Sequence, residues 1–83
     1  MSNKPLRLNL STMALIDAEL QRACEKHDWT GYSLDQMLDA VYGEDFELGE
    51  AHKQRDIHGE HGIIREALQG IVTRIRLIES LTQ

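Results

Sequence analysis

The fold of this 83-residue chain is decided by residues 63–81, whose sequence is IIREALQGIVTRIRLIESL. Apolar residues return there at steps of three and four, which is the period of a helix with one buried face. The pattern predicts a long helix from about Glu60 to Leu81. Its apolar stripe, which includes Ile64, Ile71 and Ile75, is broader than two partner helices would bury. We therefore expect the protein to form a homo-oligomer.

A shorter helix is predicted upstream, after a short N-terminal arm. Within residues 1–10, three leucines alternate with polar residues, which indicates an extended segment. Ser11 suits the N-cap of a helix, and apolar residues then follow at three- and four-residue steps as far as Lys26 or His27. We expect an extended arm over residues 1–10 and a single helical domain over residues 11–83.

A second helix is predicted to begin at the capping box formed by Ser33 and Gln36. Its apolar stripe continues through Ala51, although Gly43 weakens the helix and favours a kink there. Residues 55–62 are polar and contain two glycines, so we interpret them as a loop. Three helices joined by short links predict an all-α fold, a small antiparallel helical bundle.

Composition limits the classes of function. Hydrophobic residues make up 41% of the chain and aromatic residues 5%, which favours helices packed through aliphatic side chains. The single cysteine excludes an intrachain disulfide and is typical of a cytoplasmic protein. No apolar run is long enough to span a membrane. The net charge of −5 speaks against binding nucleic acid through phosphate contacts.

Acidic residues recur along the second predicted helix. Glu44, Glu47 and Glu50 are three apart, so their side chains follow one flank of the helix. On a helical wheel, Glu44 lies at the edge of the core stripe and Glu50 on the opposite side. Glu66 and Gln69 of the last helix point away from its isoleucine stripe. The simplest interpretation is that these residues form the solvated faces of amphipathic helices.

A second interpretation of the acids is a metal site. Mg²⁺ takes oxygen ligands in proteins, commonly one or two carboxylates together with phosphate oxygens of a substrate. Two acids three apart on one helix, facing an acid on an antiparallel neighbour, provide such carboxylates. A bound cation would offset the repulsion between them.

Three segments of the chain resemble a known protein family. They are ELGEA at residues 47–51, IREALQ at 64–69 and LIESL at 77–81. The family is that of the all-α nucleoside triphosphate pyrophosphohydrolases of the MazG type, in particular its short phage-type members. Such proteins carry Glu-x-x-Glu on one helix and Glu-x-x-Asp on the next, which together hold Mg²⁺ and the phosphates of a nucleotide. The resemblance implies an enzyme that hydrolyses a nucleoside triphosphate to the monophosphate and pyrophosphate.

The resemblance assigns a role to each of these acids. Glu47 and Glu50 stand for the first pair and Glu66 for the first acid of the second pair, so these three are expected to bind Mg²⁺. Gln69 stands where the family has Asp, and it is expected to assist catalysis or orient water. The register can also be shifted, so that Glu44 and Glu47 form the first pair.

The incomplete second motif also suits a protein with no enzymatic role. A small, acidic helical chain is typical of a phage or bacterial regulator that occludes a partner protein. Lys53, Arg55 and Arg65 interrupt the acids, so the surface does not mimic the continuous negative charge of a nucleic acid. The expected partner is therefore either a nucleoside triphosphate or another protein.

Overall fold

The computed structural model describes residues 7–27 and 29–82, and this part of the chain forms three α-helices. They are α1 (Leu10–Lys26), α2 (Leu34–Gln54) and α3 (Ile63–Thr82). The predicted all-α fold is confirmed, and no strand occurs in the described ranges. Residues 1–6 of the predicted arm lie outside the described residues. None of the three helices is both long and apolar enough to cross a membrane.

The first helix starts earlier than its sequence pattern predicts. Asn9 is the N-cap, since its side-chain Oδ1 accepts a hydrogen bond from the backbone N–H of Ser11 at 2.8 Å. Asparagine and serine are both favourable N-cap residues, and here the preceding one is used. The prediction of Ser11 as the cap is therefore wrong, and Leu10 belongs to α1 instead of the arm.

The predicted capping box at the start of α2 is confirmed. The Ser33 hydroxyl accepts from the N–H of Gln36 at 3.1 Å, and the Gln36 side chain accepts from the N–H of Ser33 at 2.8 Å. The helix passes Gly43 without a break and ends at Arg55, whose backbone is left-handed with φ 55° and ψ 29°. No break therefore occurs at Gly43, and the loop after Gln54 begins where the sequence predicts it.

α3 lies against both other helices. α2 and α3 form an antiparallel hairpin across the loop of residues 55–62. α1 runs parallel to α3, since Glu19 lies beside Arg65 and Arg22 beside Gln69 one turn further along both helices. Among the described residues, no Cα atom of α1 lies within 8 Å of one in α2. The space between α1 and α2 is therefore a cleft with α3 as its floor.

The apolar core is small and lies mainly between α2 and α3. Its buried hydrophobic side chains are Met37, Val41, Ala51 and Val72. The buried face of α2 is rotated by roughly 50° from Leu34, which the sequence pattern places at its centre. Leu34 is half exposed. This rotation brings Glu44 inside the buried face instead of leaving it at the edge.

α3 buries the face opposite to the one that its sequence pattern predicts to be buried. Glu66 is only 2% exposed and Thr73 is also buried, whereas Ile64, Ile71 and Ile78 are 42%, 38% and 59% exposed. At about 100° per residue, Glu66 and Thr73 lie on the far side of the helix from Ile64. The isoleucine stripe therefore faces outward, and the prediction that Glu66 lies on a solvated face is wrong.

Small residues accompany Glu66 on the buried face of α3. Gly62, Gly70 and Thr73 share that face with Glu66, and all four are buried. Small side chains let neighbouring backbones approach closely. At Gly70, however, an added Cβ atom would meet only Nη1 of Arg74, at 3.3 Å, so no neighbouring backbone approaches closely there.

Candidate metal centre

Three carboxylates meet where α2 packs on α3. Glu44 and Glu47 of α2 and Glu66 of α3 each offer an oxygen, and these oxygens all lie within 4.8 Å of one another. We call these three residues the acid cluster. The structure thus brings together Glu47 and Glu66, two members of the predicted metal set. Glu50, the third predicted member, is not in the cluster.

The helical geometry of α2 explains why Glu44 takes the place of Glu50. Counting about 100° per residue from the buried Val41, Glu44 is displaced by roughly 60° and Glu47 by roughly 120°, on the side of α3. Glu50 is displaced by about 180° and points away from it. Its Oε1 lies 3.4 Å from Nζ of Lys53, in an ion pair that is largely exposed. The shifted register is the one that places two acids beside Glu66.

Gln69 joins two members of the acid cluster. Its hydrogen-bond partners define the orientation of the amide: the nitrogen donates to Glu66 Oε2 at 3.0 Å and to Glu44 Oε2 at 3.1 Å. The amide oxygen accepts from Nη2 of Arg22 at 3.0 Å. Gln69 therefore lies next to the acid cluster. Its amide nitrogen faces the carboxylates, so it acts on them as a hydrogen-bond donor.

Burial and mutual repulsion raise the pKa of two of these acids. Burial, followed by the negative charges of Glu47 and Glu66, raises the pKa of Glu44 to about 7. Burial and a hydrogen bond with Glu47 also raise the pKa of Glu66, while His61 acts in the opposite direction. The metal-free cluster therefore holds a proton at pH values where ordinary glutamates are ionised. A divalent cation would take over the role of that proton.

His61 approaches the acid cluster from the loop before α3. Its Nδ1 lies 3.4 Å from Oε1 of Glu66, and its side chain is exposed. From the sequence, residues 55–62 are interpreted only as a polar loop, and no site residue is predicted there. The signal for His61 is its position in the turn immediately before the helix that carries Glu66.

A second buried acid, Glu19, organises two arginines next to the cluster. Its Oε2 lies 2.8 Å from Nη2 of Arg22, and its Oε1 lies 3.4 Å from Nε of Arg65. Sequence reasoning did not select Glu19 or Arg22. The only sequence signal is their i, i+3 spacing, which is also common on ordinary helix surfaces. Burial of the carboxylate is what gives the pair its importance, because a buried charge requires a partner.

The cleft between α1 and α2 has a volume of about 190 Å³ and contains part of the acid cluster. Its lining carries three cationic side chains and three acidic ones, together with two histidines: Arg22, Lys26, Arg65, Glu19, Glu44, Glu60, His27 and His61. Trp29 also lines the cleft, and its ring meets those of His27 and Tyr32 at 5.8 and 5.5 Å between centroids. The aromatic residues after α1 thus pack together at one end of the site.

The site places hard oxygen donors beside a group of cations. Carboxylates suit Mg²⁺ or Mn²⁺, and arginine and lysine suit phosphate oxygens. No family model matches the chain, and comparisons with curated proteins and with solved structures gave no match.

Proposed function

We propose that the protein is a Mg²⁺-dependent nucleoside triphosphate pyrophosphohydrolase similar to the MazG type. The observation that carries the proposal is the convergence of Glu44, Glu47 and Glu66 beside a cleft whose lining includes two arginines and a lysine. These three acids would hold the metal, in the shifted register of the first motif. The metal would polarise the phosphoryl group and lower the pKa of an attacking water.

The remaining residues of the site would bind the nucleotide or orient the carboxylates. Arg22, Lys26 and Arg65 would bind the phosphates of the nucleotide, with the two arginines held by Glu19. Gln69 positions Glu44 and Glu66 through its amide nitrogen, so it sets the geometry of the carboxylates. It carries no charge, which leaves the site with one acid fewer than the family pattern.

A matched pair of variants tests this assignment. Glu47→Gln and Glu50→Gln each remove one carboxylate from α2, three residues apart, but only Glu47 belongs to the acid cluster. We expect Mg²⁺ or Mn²⁺ to raise the Tm of the parent and of Glu50→Gln, and to leave that of Glu47→Gln unchanged. Pyrophosphate should be released from at least one of a panel of nucleoside triphosphates by the parent and by Glu50→Gln.

Three other results of these experiments would each contradict part of the assignment. A metal effect that Glu50→Gln abolishes would show that the unshifted register is the correct one. Divalent cations that act no differently from matched ionic strength would exclude the metal site. Metal binding without release of pyrophosphate would exclude the hydrolase and leave a nucleotide-binding or metal-binding protein.

A second candidate function is favoured by the surface of α2. Tyr42 and Phe46 lie one turn apart and are 62% and 69% exposed. Neighbouring exposed aromatic residues are typical of protein interfaces. A non-enzymatic regulator of phage or bacterial origin, which occludes a partner protein, would use such a surface. A null result in the metal titration together with no turnover would favour this function.

The proposal includes a homo-oligomeric state. Several large apolar side chains on α1 and α3 are exposed in the single chain, among them Leu10 and Leu81. The acid cluster is formed within one chain, so its chemistry and the assembly are separate questions.

A further inference from the structure

The outer face of α3 carries a continuous row of aliphatic side chains. The row consists of Ile64, Leu68, Ile71, Ile75 and Ile78, and we call it the outer stripe. Three of its members are 42%, 38% and 59% exposed, and the other two are half-buried. No charged residue interrupts it over 14 residue steps, which is about 21 Å of helix. The described part of the chain leaves this stripe without a covering element.

The spacing of the outer stripe is that of a helix-pairing seam. Its members follow one another at steps of four, three, four and three, which is the a/d pattern of heptad repeats. In such a seam each apolar side chain inserts between residues of a facing helix with the same pattern. Ile71 lies at the centre, with Ile64 and Ile78 seven residues before and after it. The stripe is therefore suited to pairing with a copy of itself.

The total surface indicates how much area is left to cover. The chain exposes 6616 Å², whereas a compact monomer of 9.5 kDa exposes about 5,000 Å². If the eight residues outside the described ranges are assigned full unfolded exposure, about 160 Å² each, the 75 described residues expose about 5,300 Å². A compact monomer of 75 residues would expose about 4,700 Å². A standard interface buries about 800 Å² on each partner. The like-for-like excess of about 600 Å² lies at the lower end of what one partner buries in such an interface.

We infer that the outer stripe of α3 packs against the same stripe of a second copy of this chain, with Ile71 at the centre of the contact. A two-fold interface requires a self-complementary surface, and the repeated aliphatic row provides one. The inference does not depend on the nucleotide chemistry, because the acid cluster lies on the opposite face of α3. It specifies the surface of a self-association that the sequence pattern alone only suggests.

Three chains compared by sedimentation equilibrium test the surface. We expect the parent to be a dimer at micromolar concentration. Ile71→Asp should raise the dissociation constant at least about 100-fold, because it places two unpaired charges in the centre of the contact. Tyr42→Asp is the matched control, since it adds the same charge at an exposed apolar position on α2, and it should leave the dimer intact. A monomeric parent, or a dimer that survives Ile71→Asp, would overturn the inference.

Cross-linking provides a measurement that does not require a destabilising charge. In a Cys24→Ser background, Ile71→Cys should form a disulfide-linked dimer under mild oxidation, because its two copies would lie side by side. The parent, whose Cys24 is exposed on α1, is the control and should form little. A dimer in solution in which the Ile71→Cys chains do not cross-link would overturn the assignment of the outer stripe.

Discussion

Gln69 shows how a single residue changes the character of an acidic site. A carboxylate at this position would add a fourth negative charge next to Glu44 and Glu66. The amide instead donates to both carboxylates and accepts from Arg22, which links the acid cluster to the cations of the cleft. Buried polar groups of this kind stabilise a structure only when each has its partners. Gln69 therefore lets the cluster fold without metal and keeps its acids in place.

The raised pKa of Glu44 predicts how stability depends on pH. An unfolded glutamate titrates near 4.5 and the folded Glu44 near 7, so the folded chain binds more protons between these values. The free energy of unfolding of the metal-free protein should therefore fall as the pH rises from about 4.5 to about 7. Above about pH 7, this group should no longer change the free energy of unfolding. Glu66 contributes in the same direction, because its pKa is also raised.

Thermal melting across this pH range in the presence of a chelator provides the measurement. Glu44→Gln should flatten the profile, because the variant has no carboxyl group to titrate at that position. Glu50→Gln should keep the slope of the parent, since its carboxylate lies outside the acid cluster. A parent profile that rises between pH 5 and 7 would contradict the repulsion inferred for the cluster.

The sequence predicts part of this site for identifiable physical reasons. The sequence places Glu47 and Glu66 together, as the structure does, because acids spaced three apart on one helix face an antiparallel neighbour. Whether Glu44 or Glu50 joins them depends on the rotation of α2 about its axis, and a rotation of roughly 50° decides it. Glu19 is missed because burial of a carboxylate between two helices leaves no local pattern in the sequence.

At the scale of elements, the boundaries of the helices are predicted better than the faces that the helices bury. Capping residues and loop glycines are local signals, so the limits of α2 and of the loop after it agree with prediction. No such local signal shows which face of α3 is buried within the chain. An apolar period identifies a face that is covered, but the cover can belong to the same chain or to another copy. For α3, the stripe with the stronger period faces outward.

The unbroken course of α2 through Gly43 leads to a prediction about stability. A Cβ atom built on Gly43 meets nothing within 4 Å, and the residue lies in the interior of the helix. Gly43→Ala should therefore raise the free energy of unfolding by about 1 kcal/mol, because alanine loses less backbone entropy on folding. Urea denaturation measures this change directly.

Gly62→Ala is the matched control for that substitution. A Cβ atom there would lie 2.8 Å from the backbone nitrogen of Gly59 and 2.9 Å from the carbonyl oxygen of Ile57. Both neighbours are backbone atoms, so the loop before α3 would have to move. The same chemical change should consequently destabilise the protein at this position. Equal effects of the two alanines would show that the packing of this loop is described incorrectly.

At the scale of the whole molecule, α3 serves two surfaces at once. Its inner face carries Glu66 and meets α1 and α2, while its outer stripe is available to a second copy. Every acid of the cluster comes from a single chain. A chain of this size has little core of its own, so association would supply stability that the four buried apolar side chains do not.

This separation predicts that metal binding and association contribute independently to stability. Mg²⁺ should raise the Tm of the parent and of Ile71→Asp by similar amounts, although the variant starts from a lower Tm, because distant sites contribute additively. Differential scanning calorimetry at several chain concentrations, with and without Mg²⁺, measures both effects. The Tm of the parent should rise with concentration, and that of Ile71→Asp should not. If Ile71→Asp remains folded but loses the response to Mg²⁺, the second copy contributes to the metal site and the two faces of α3 are coupled.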